Sequence, residues 1–144
     1  MFPVLKSVLV LDKRGATNGE TVTANIDTLG ADWMTLDVHS STSNNTTNNP
    51  STFKLSEGDT TDATAFSDIT AFVGDGTGGW TVPAWHTQTA DAKCVKFDVD
   101  LRHRKRYLKL TLTPITTQDF IAIANLGRNE NTPTSDDQRA LVRG

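Results

Sequence analysis

Apolar and polar residues alternate with a period of two in four stretches of the chain. Val22, Ala24 and Ile26 alternate with Thr21, Thr23 and Asn25, and Met34, Leu36 and Val38 with Trp33, Thr35, Asp37 and His39. Val95, Phe97, Val99 and Leu101 alternate with Cys94, Lys96, Asp98 and Asp100, and Leu108, Leu110 and Leu112 with Tyr107, Lys109, Thr111 and Thr113. Each pattern predicts a strand with one face in a core and one in water, as in antiparallel sheets. Two further segments, Leu5 to Leu11 and Phe120 to Leu126, are apolar on both faces. Such a strand is either central and covered on both sides, or turns its second face to another subunit. No long amphipathic helix is predicted. Ser135 to Gln138 has capping-box spacing ahead of "RALV", which marks one helical turn that would be marginal in isolation.

The breaks between strands are polar. "GATNGE" (15–20) reads as a turn, "SSTSNNTTNNPS" (40–51) as a low-complexity loop that is mobile or adopted by a partner, and "GDGTGG" (74–79) as a flexible loop. Seven or eight strands without crossover helices predict an all-β, antiparallel β-sandwich of jelly-roll-like form over residues 1–127. Residues 128–144 are expected to form an extended C-terminal arm.

Composition supports this reading. About one residue in six is threonine, which suits a pleated, half-buried surface. A chain of 144 residues is long enough to bury a core without metal or disulfide staples. The sole cysteine, Cys94, rules out an intrachain disulfide and is read as an ordinary strand residue. The longest apolar run near the N-terminus, Val8 to Leu11, is too short for a secretory h-region or a membrane span. A soluble chain made in a cytoplasm, with no membrane partner, is expected. Without a secretion signal, the glycosylation-like pairs Asn44/Thr46 and Asn45/Thr47 carry little weight.

Charge is unevenly placed. Residues 1–92 hold four Lys/Arg against eleven Asp/Glu, a balance of −7, and residues 93–144 hold ten against six, a balance of +4. The two sum to −3. Within the basic part, Arg102, Arg104, Lys105 and Arg106 surround His103 between two strands. Nucleic acid is a poor match, because the whole chain is acidic and only Tyr107 supplies an adjacent aromatic. As a surface turn the cluster needs no partner; as a function, it suits docking on an anionic protein surface. Exposed ion pairs are worth only about 0.2–1 kcal/mol each, so such a rim sets orientation and association rate more than affinity.

Other chemistry finds little support. "GDGTGG" is followed by Trp80, Thr81, Val82 and Pro83 rather than by Gly-Lys-Ser/Thr opening a helix, so it is not a phosphate loop. Asp75, Trp80 and Trp85, with His86 nearby, resemble a sugar-stacking platform, although loop aromatics more often plug the end of a sandwich or an interface. The pairs Asp59/Asp62 and Asp98/Asp100 lack calcium-loop spacing. Three scattered histidines, no nucleophile elbow and no zinc signature give no positive sign of an enzyme, although the carboxylate pair of a glycosidase has no sequence spacing to test. No cofactor or metal is expected.

Two resemblances follow from longer strings. "FKLSEGDTTDATAFSDI" followed by "KRYLKLTLT" resembles galactose-binding-like jelly rolls, at the level of fold. The order "GETVTANIDTLGADWMTLDV", the SEGDTTDATAF turn, "VDLRHRKRYLKLTLTP" and "IAIANLGR" is similar to β-rich structural proteins of tailed bacteriophages, of the capsid decoration (cement) or minor capsid type. This covers about residues 18–128 and carries no catalytic residues. It implies a non-enzymatic virion protein on the outer capsid surface. The implied partners are the major capsid protein and further copies of itself, as homo-dimer or homo-trimer, without direct nucleic-acid contact.

On that expectation Arg102, Arg104, Lys105 and Arg106 form a docking rim that meets acidic residues such as Glu57, Asp59, Asp62 and Asp68 of another subunit, or an acidic rim on the shell. The apolar patch is Ile121 and Ile123, or the opposite face with Phe120 and Ala122, and the arm clasps a neighbour. The alternatives are a carbohydrate-binding jelly-roll module using Asp75, Trp80 and Trp85, and a head–tail connector or tail component.

Overall fold

The alternating stretches fold as strands where the period of two places them. The structure is a computed structural model that describes residues 4–41, 49–83 and 93–128. It contains β1 (Val4–Ala16), β2 (Val22–Asp27), β3 (Trp33–Ser41), β4 (Thr52–Gly58), β5 (Ser67–Val73), β6 (Lys93–Asp100), β7 (Tyr107–Thr113) and β8 (Gln118–Arg128). A single 3-10 turn, Ala63–Ala65, is the only helical element among the described residues. The low-complexity loop from 42 to 48, Trp85, His86, the arm after Arg128 and the turn at 135–138 lie outside them.

Two four-stranded sheets result, sheet A in the order β1-β8-β3-β6 and sheet B in the order β2-β7-β4-β5. All their pairings are antiparallel. First pairs with last, second with seventh, third with sixth and fourth with fifth. The chain is therefore one long hairpin, folded at the β4–β5 connection and rolled so that its legs alternate between the sheets. That is a jelly roll, the architecture expected from the strand count and the missing crossovers.

The two inner faces make one core. Sheet A contributes Met34, Leu36, Val38, Val95, Phe97, Val99, Phe120, Ala122, Ala124 and Leu126, and sheet B contributes Val22, Ile26, Phe53, Leu55, Ile69, Leu108, Leu110 and Leu112, all buried. Those on β2, β3, β6 and β7 are apolar positions of the alternating stretches, so burial by period two, rather than strand propensity alone, set their register. Phe53, Trp80 and Phe97 meet edge to face with centroids 5.0–5.5 Å apart, an arrangement favoured by the ring quadrupoles.

The two segments apolar on both faces have different explanations. β8 lies inside sheet A between β1 and β3; its even-numbered residues Phe120 to Leu126 fill the core while Ile121 and Ile123 face outward, half-buried. β1 is an edge strand with a register shift between Leu9 and Leu11. Leu9 opposes the outward Ile123, whereas Leu11 opposes the inward Ala122. The bulge reverses the side-chain phase, which is why "VLVL" reads as a continuous apolar run.

Candidate functional site

The register of sheet A aligns its outward side chains into cross-strand rows. Leu5, Gly127, Trp33 and Asp100 form the first row, and Ser7, Asn125, Thr35 and Asp98 the second. Leu9, Ile123, Asp37 and Lys96 form the third, followed by Asp12, Ile121, His39 and Cys94. Aliphatic side chains thus collect on the β1–β8 half of the face and charged ones on the β3–β6 half. Leu5 and Leu9 are 57% and 62% exposed, two of the three large hydrophobics exposed among the described residues. Trp33 lies flat over Gly127, where any Cβ would collide with the indole ring. The glycine is what allows an aromatic to cover the backbone there.

Polar groups between these aliphatics are hydrogen-bonded across the strands. Ser7 Oγ donates to Asn125 Oδ1 at 2.7 Å, Asn125 Nδ2 donates to Asp37 Oδ2 at 3.5 Å, and Thr35 Oγ1 donates to Asp98 Oδ1 at 2.9 Å. Cys94 Sγ and His39 Nε2 stand 3.9 Å apart on adjacent strands. Burial, and then the Asp37 carboxylate, push the Cys94 thiol up from its ordinary value. The pair therefore carries a protonated thiol at neutral pH and not an activated nucleophile.

The outer face of sheet B differs. Its rows read Thr23, Thr111 and Lys54, then Asn25, Lys109, Ser56 and Asp68. Lys54 Nζ and Ser56 Oγ both donate to Asp68 at 2.8 Å, and Lys109 Nζ lies 4.2 Å from the centre of the Phe66 ring. The Lys54 ammonium, helped by the Ser56 hydroxyl and against the opposing effect of burial, holds the Asp68 carboxyl below its usual value.

The basic cluster sits at the end of the sandwich, where the β6–β7 turn passes the ends of β2 and β4. Each of its four cations meets a carboxylate of the same chain. Arg102 grips Asp100 through Nε at 2.9 Å and NH2 at 2.5 Å, and Arg106 grips Asp27 at 3.0 and 2.8 Å. Arg104 pairs with Glu57 at 3.4 Å and Lys105 with Asp59 at 2.9 Å. The Lys105 backbone N–H also donates to Glu57 at 3.1 Å. The bidentate Arg106 contact holds the Asp27 carboxyl at about 2 against its ordinary 3.8. Arg102 lowers Asp100 further still. Glu57 and Asp59, expected to receive the cations of another subunit, receive them within one chain, because the rolled hairpin brings the acidic β2 and β4 ends to the basic turn.

Phe120 leaves the docking surface. It is fully buried, since it lies on the inward phase of β8, as does Ala122. Leu5, Leu9 and Trp33 join the surface instead. Their signals in the sequence were the apolar segment from Leu5 to Leu11 and an indole on the polar phase of β3.

The loop 74–79 is a hydrogen-bonded turn. Asp75 adopts φ 55°, its N–H donates to the Trp80 carbonyl at 2.8 Å, and its Oδ1 accepts the Val82 N–H at 3.0 Å. Trp80 packs against the core, its Nε1 buried with no acceptor among the described residues. Asp75 and Trp80 thus hold the loop and plug the sandwich, and Trp85 lies outside the described residues. Asp59 is engaged by Lys105, and Asp62 accepts a hydrogen bond from Thr60 at 3.2 Å. Among the described residues no three His, Cys, Asp or Glu side chains gather as a metal site. No helix among them is long and apolar enough to cross a membrane.

No protein-family model matches the chain, and no curated protein matches it significantly in sequence.

Proposed function

We propose that the chain is a non-enzymatic structural protein that docks on another protein through the outer face of sheet A. The docking surface is the outside of a phage capsid, and the chain acts there as a decoration (cement) protein bound to the major capsid protein. The observation that carries the docking role is the aliphatic half-face of Leu5, Leu9, Ile121 and Ile123 beside Trp33, set against an outer face on sheet B that is mostly polar, with Val73 and Tyr107 as its apolar members. The capsid part of the reading rests on the resemblance of the segment order at about residues 18–128 to virion structural proteins.

A contiguous apolar patch on a soluble domain marks an interaction surface, whereas single exposed leucines do not. Covering Leu5 and Leu9 fully contributes about 1.5–3 kcal/mol each. Identical contacts repeated over a shell then add in effect for any linked copies. The cations at 102–106 take a smaller part than the sequence suggested, because their charge is already met within the chain. Loading is therefore governed by the aliphatic face, with weak dependence on salt. A glycan-binding role gains nothing from Asp75 and Trp80, whose polar and aromatic surfaces are engaged internally.

The test is to mix purified chain with undecorated capsids and measure occupancy after sedimentation. Wild type loads, and Leu9→Asp plus Ile123→Asp does not, although its melting curve remains cooperative. Equal loading by the double variant would exclude this face as the docking surface.

A further inference from the structure

Among the described residues four strands end the two sheets: β1 and β6 in sheet A, β2 and β5 in sheet B. Each offers backbone N–H and C=O groups to another strand, and proteins suppress that pairing or use it. The charges on these edges decide which. On β2, Asp27 is held by Arg106, and on β5, Asp68 is held by Lys54. On β1, Lys13 pairs with Glu20 and Arg14 with Asp12, while Lys6 makes no ion pair among the described residues. β6 differs in carrying both signs at matched positions. Lys96 and Asp98 point to the same outer side two residues apart; Lys96 makes no ion pair among the described residues, and Asp98 accepts a hydrogen bond from Thr35.

When a strand pairs antiparallel with its own copy about a twofold axis, residues equally spaced from the axis face each other. With the axis at Phe97, Lys96 faces Asp98 of the second copy, and Asp98 faces its Lys96. Val95 and Val99 face each other on the inner side. The strand carries its own complement in one register.

The space beside the strand agrees. Cys94 to Asp98 form one wall of a groove of about 480 Å³, and Ala71, Phe72, Trp80 and Pro83 contribute to the other. A strand laid along β6 enters this groove with its inward side chains toward Phe72, Trp80 and Pro83.

We infer that the protein forms a twofold dimer in which β6 pairs antiparallel with β6 of a second copy about Phe97, joining the two A sheets into one. The occupant of the groove is the second copy's own β6. This goes beyond docking through the outer face: it uses the strand edge and needs no shell.

Sedimentation velocity on the free full chain tests it. Wild type is a dimer that dissociates on dilution. Lys96→Asp sets two symmetric carboxylate pairs against each other and weakens association on the order of tenfold or more. Lys96→Asp plus Asp98→Lys restores it, because the swapped charges complement in the same register. Hydrogen exchange on wild type gives a reading independent of variants, with β6 amides more protected at high than at low protein concentration. A wild-type monomer at every concentration overturns the dimer, as do a Lys96→Asp variant that associates like wild type, a swap that fails to restore association, or β6 exchange indifferent to concentration.

Discussion

The outer faces of sheets A and B cover the same core, yet they treat water differently. On sheet B the outward positions are mostly Thr, Asn, Lys, Ser and Asp, with Val73 and Tyr107 the exceptions, and charges find partners within the face, as Lys54 does in Asp68. On sheet A, Leu9 stands opposite Ile123 in the middle of a water-facing surface, with Ile121 in the next row and Leu5 beyond the polar row of Ser7 and Asn125. Both sheets bury apolar residues on their inner faces, so the contrast lies in the outer faces. On the proposed function, the face finished with internal hydrogen bonds and ion pairs is complete in water, and the one carrying aliphatics is the one a partner covers.

The sharpest way to break this comparison uses two neighbours on one strand. Phe120→Ala empties the core and is expected to cost about 3–5 kcal/mol, read from equilibrium urea unfolding. Ile121→Ala, on the outer phase, is expected to cost about 1 kcal/mol or less. Equal losses would mean that the outer face belongs to the core of the free chain.

Gly127→Ala comes next. A methyl group there collides with the Trp33 indole and forces it off the face, at a cost of about 1–3 kcal/mol. The measurable sign is a red shift of tryptophan emission together with a lower Tm. Unchanged emission would mean that the indole does not rest on the glycine.

The smallest effect concerns the ion pairs at the end of the sandwich. Asp27 titrates at about 2 when folded, against 3.8 ordinarily. Its contribution is thus fully present above the unfolded value and disappears as pH falls from about 4 to about 2. Both partners are nearly half-exposed, so screening limits the effect to below about 1 kcal/mol. Melting curves of wild type and Asp27→Asn should converge over that interval. A gap that stays constant down to pH 2 would mean that Asp27 acts through something other than its charge.

Much of this fold is legible in the alternation. β3, β6 and β7 announce themselves because each buries three apolar residues on one phase, and β2 because Val22 and Ile26 are buried with the half-buried Ala24 between them. β5 does not, because Ile69 is its one buried residue, and a single position has no period. β4 has only Phe53 and Leu55 on its apolar phase, and its strand character came through a longer pattern. The surplus of apolar positions at 5–11 and 120–126 falls on two adjacent strands of sheet A, an adjacency with no sign in the sequence. Which phase of β8 faced outward depended on its neighbours, and the bulge in β1 is a pairing property with no local signature. The basic turn was the least legible feature. Its partners Asp27, Glu57 and Asp59 lie 79, 47 and 46 positions away in sequence, and only the rolled hairpin brings them within reach. Local charge density therefore suggested a free docking rim where the folded chain has ion pairs.

The docking account is tested most directly by electron cryomicroscopy of capsids incubated with the chain. The account predicts bound copies with Leu9, Ile121 and Ile123 against the shell and the polar face of sheet B toward solvent. Copies seated through sheet B, or shells left bare at saturating protein, would contradict it.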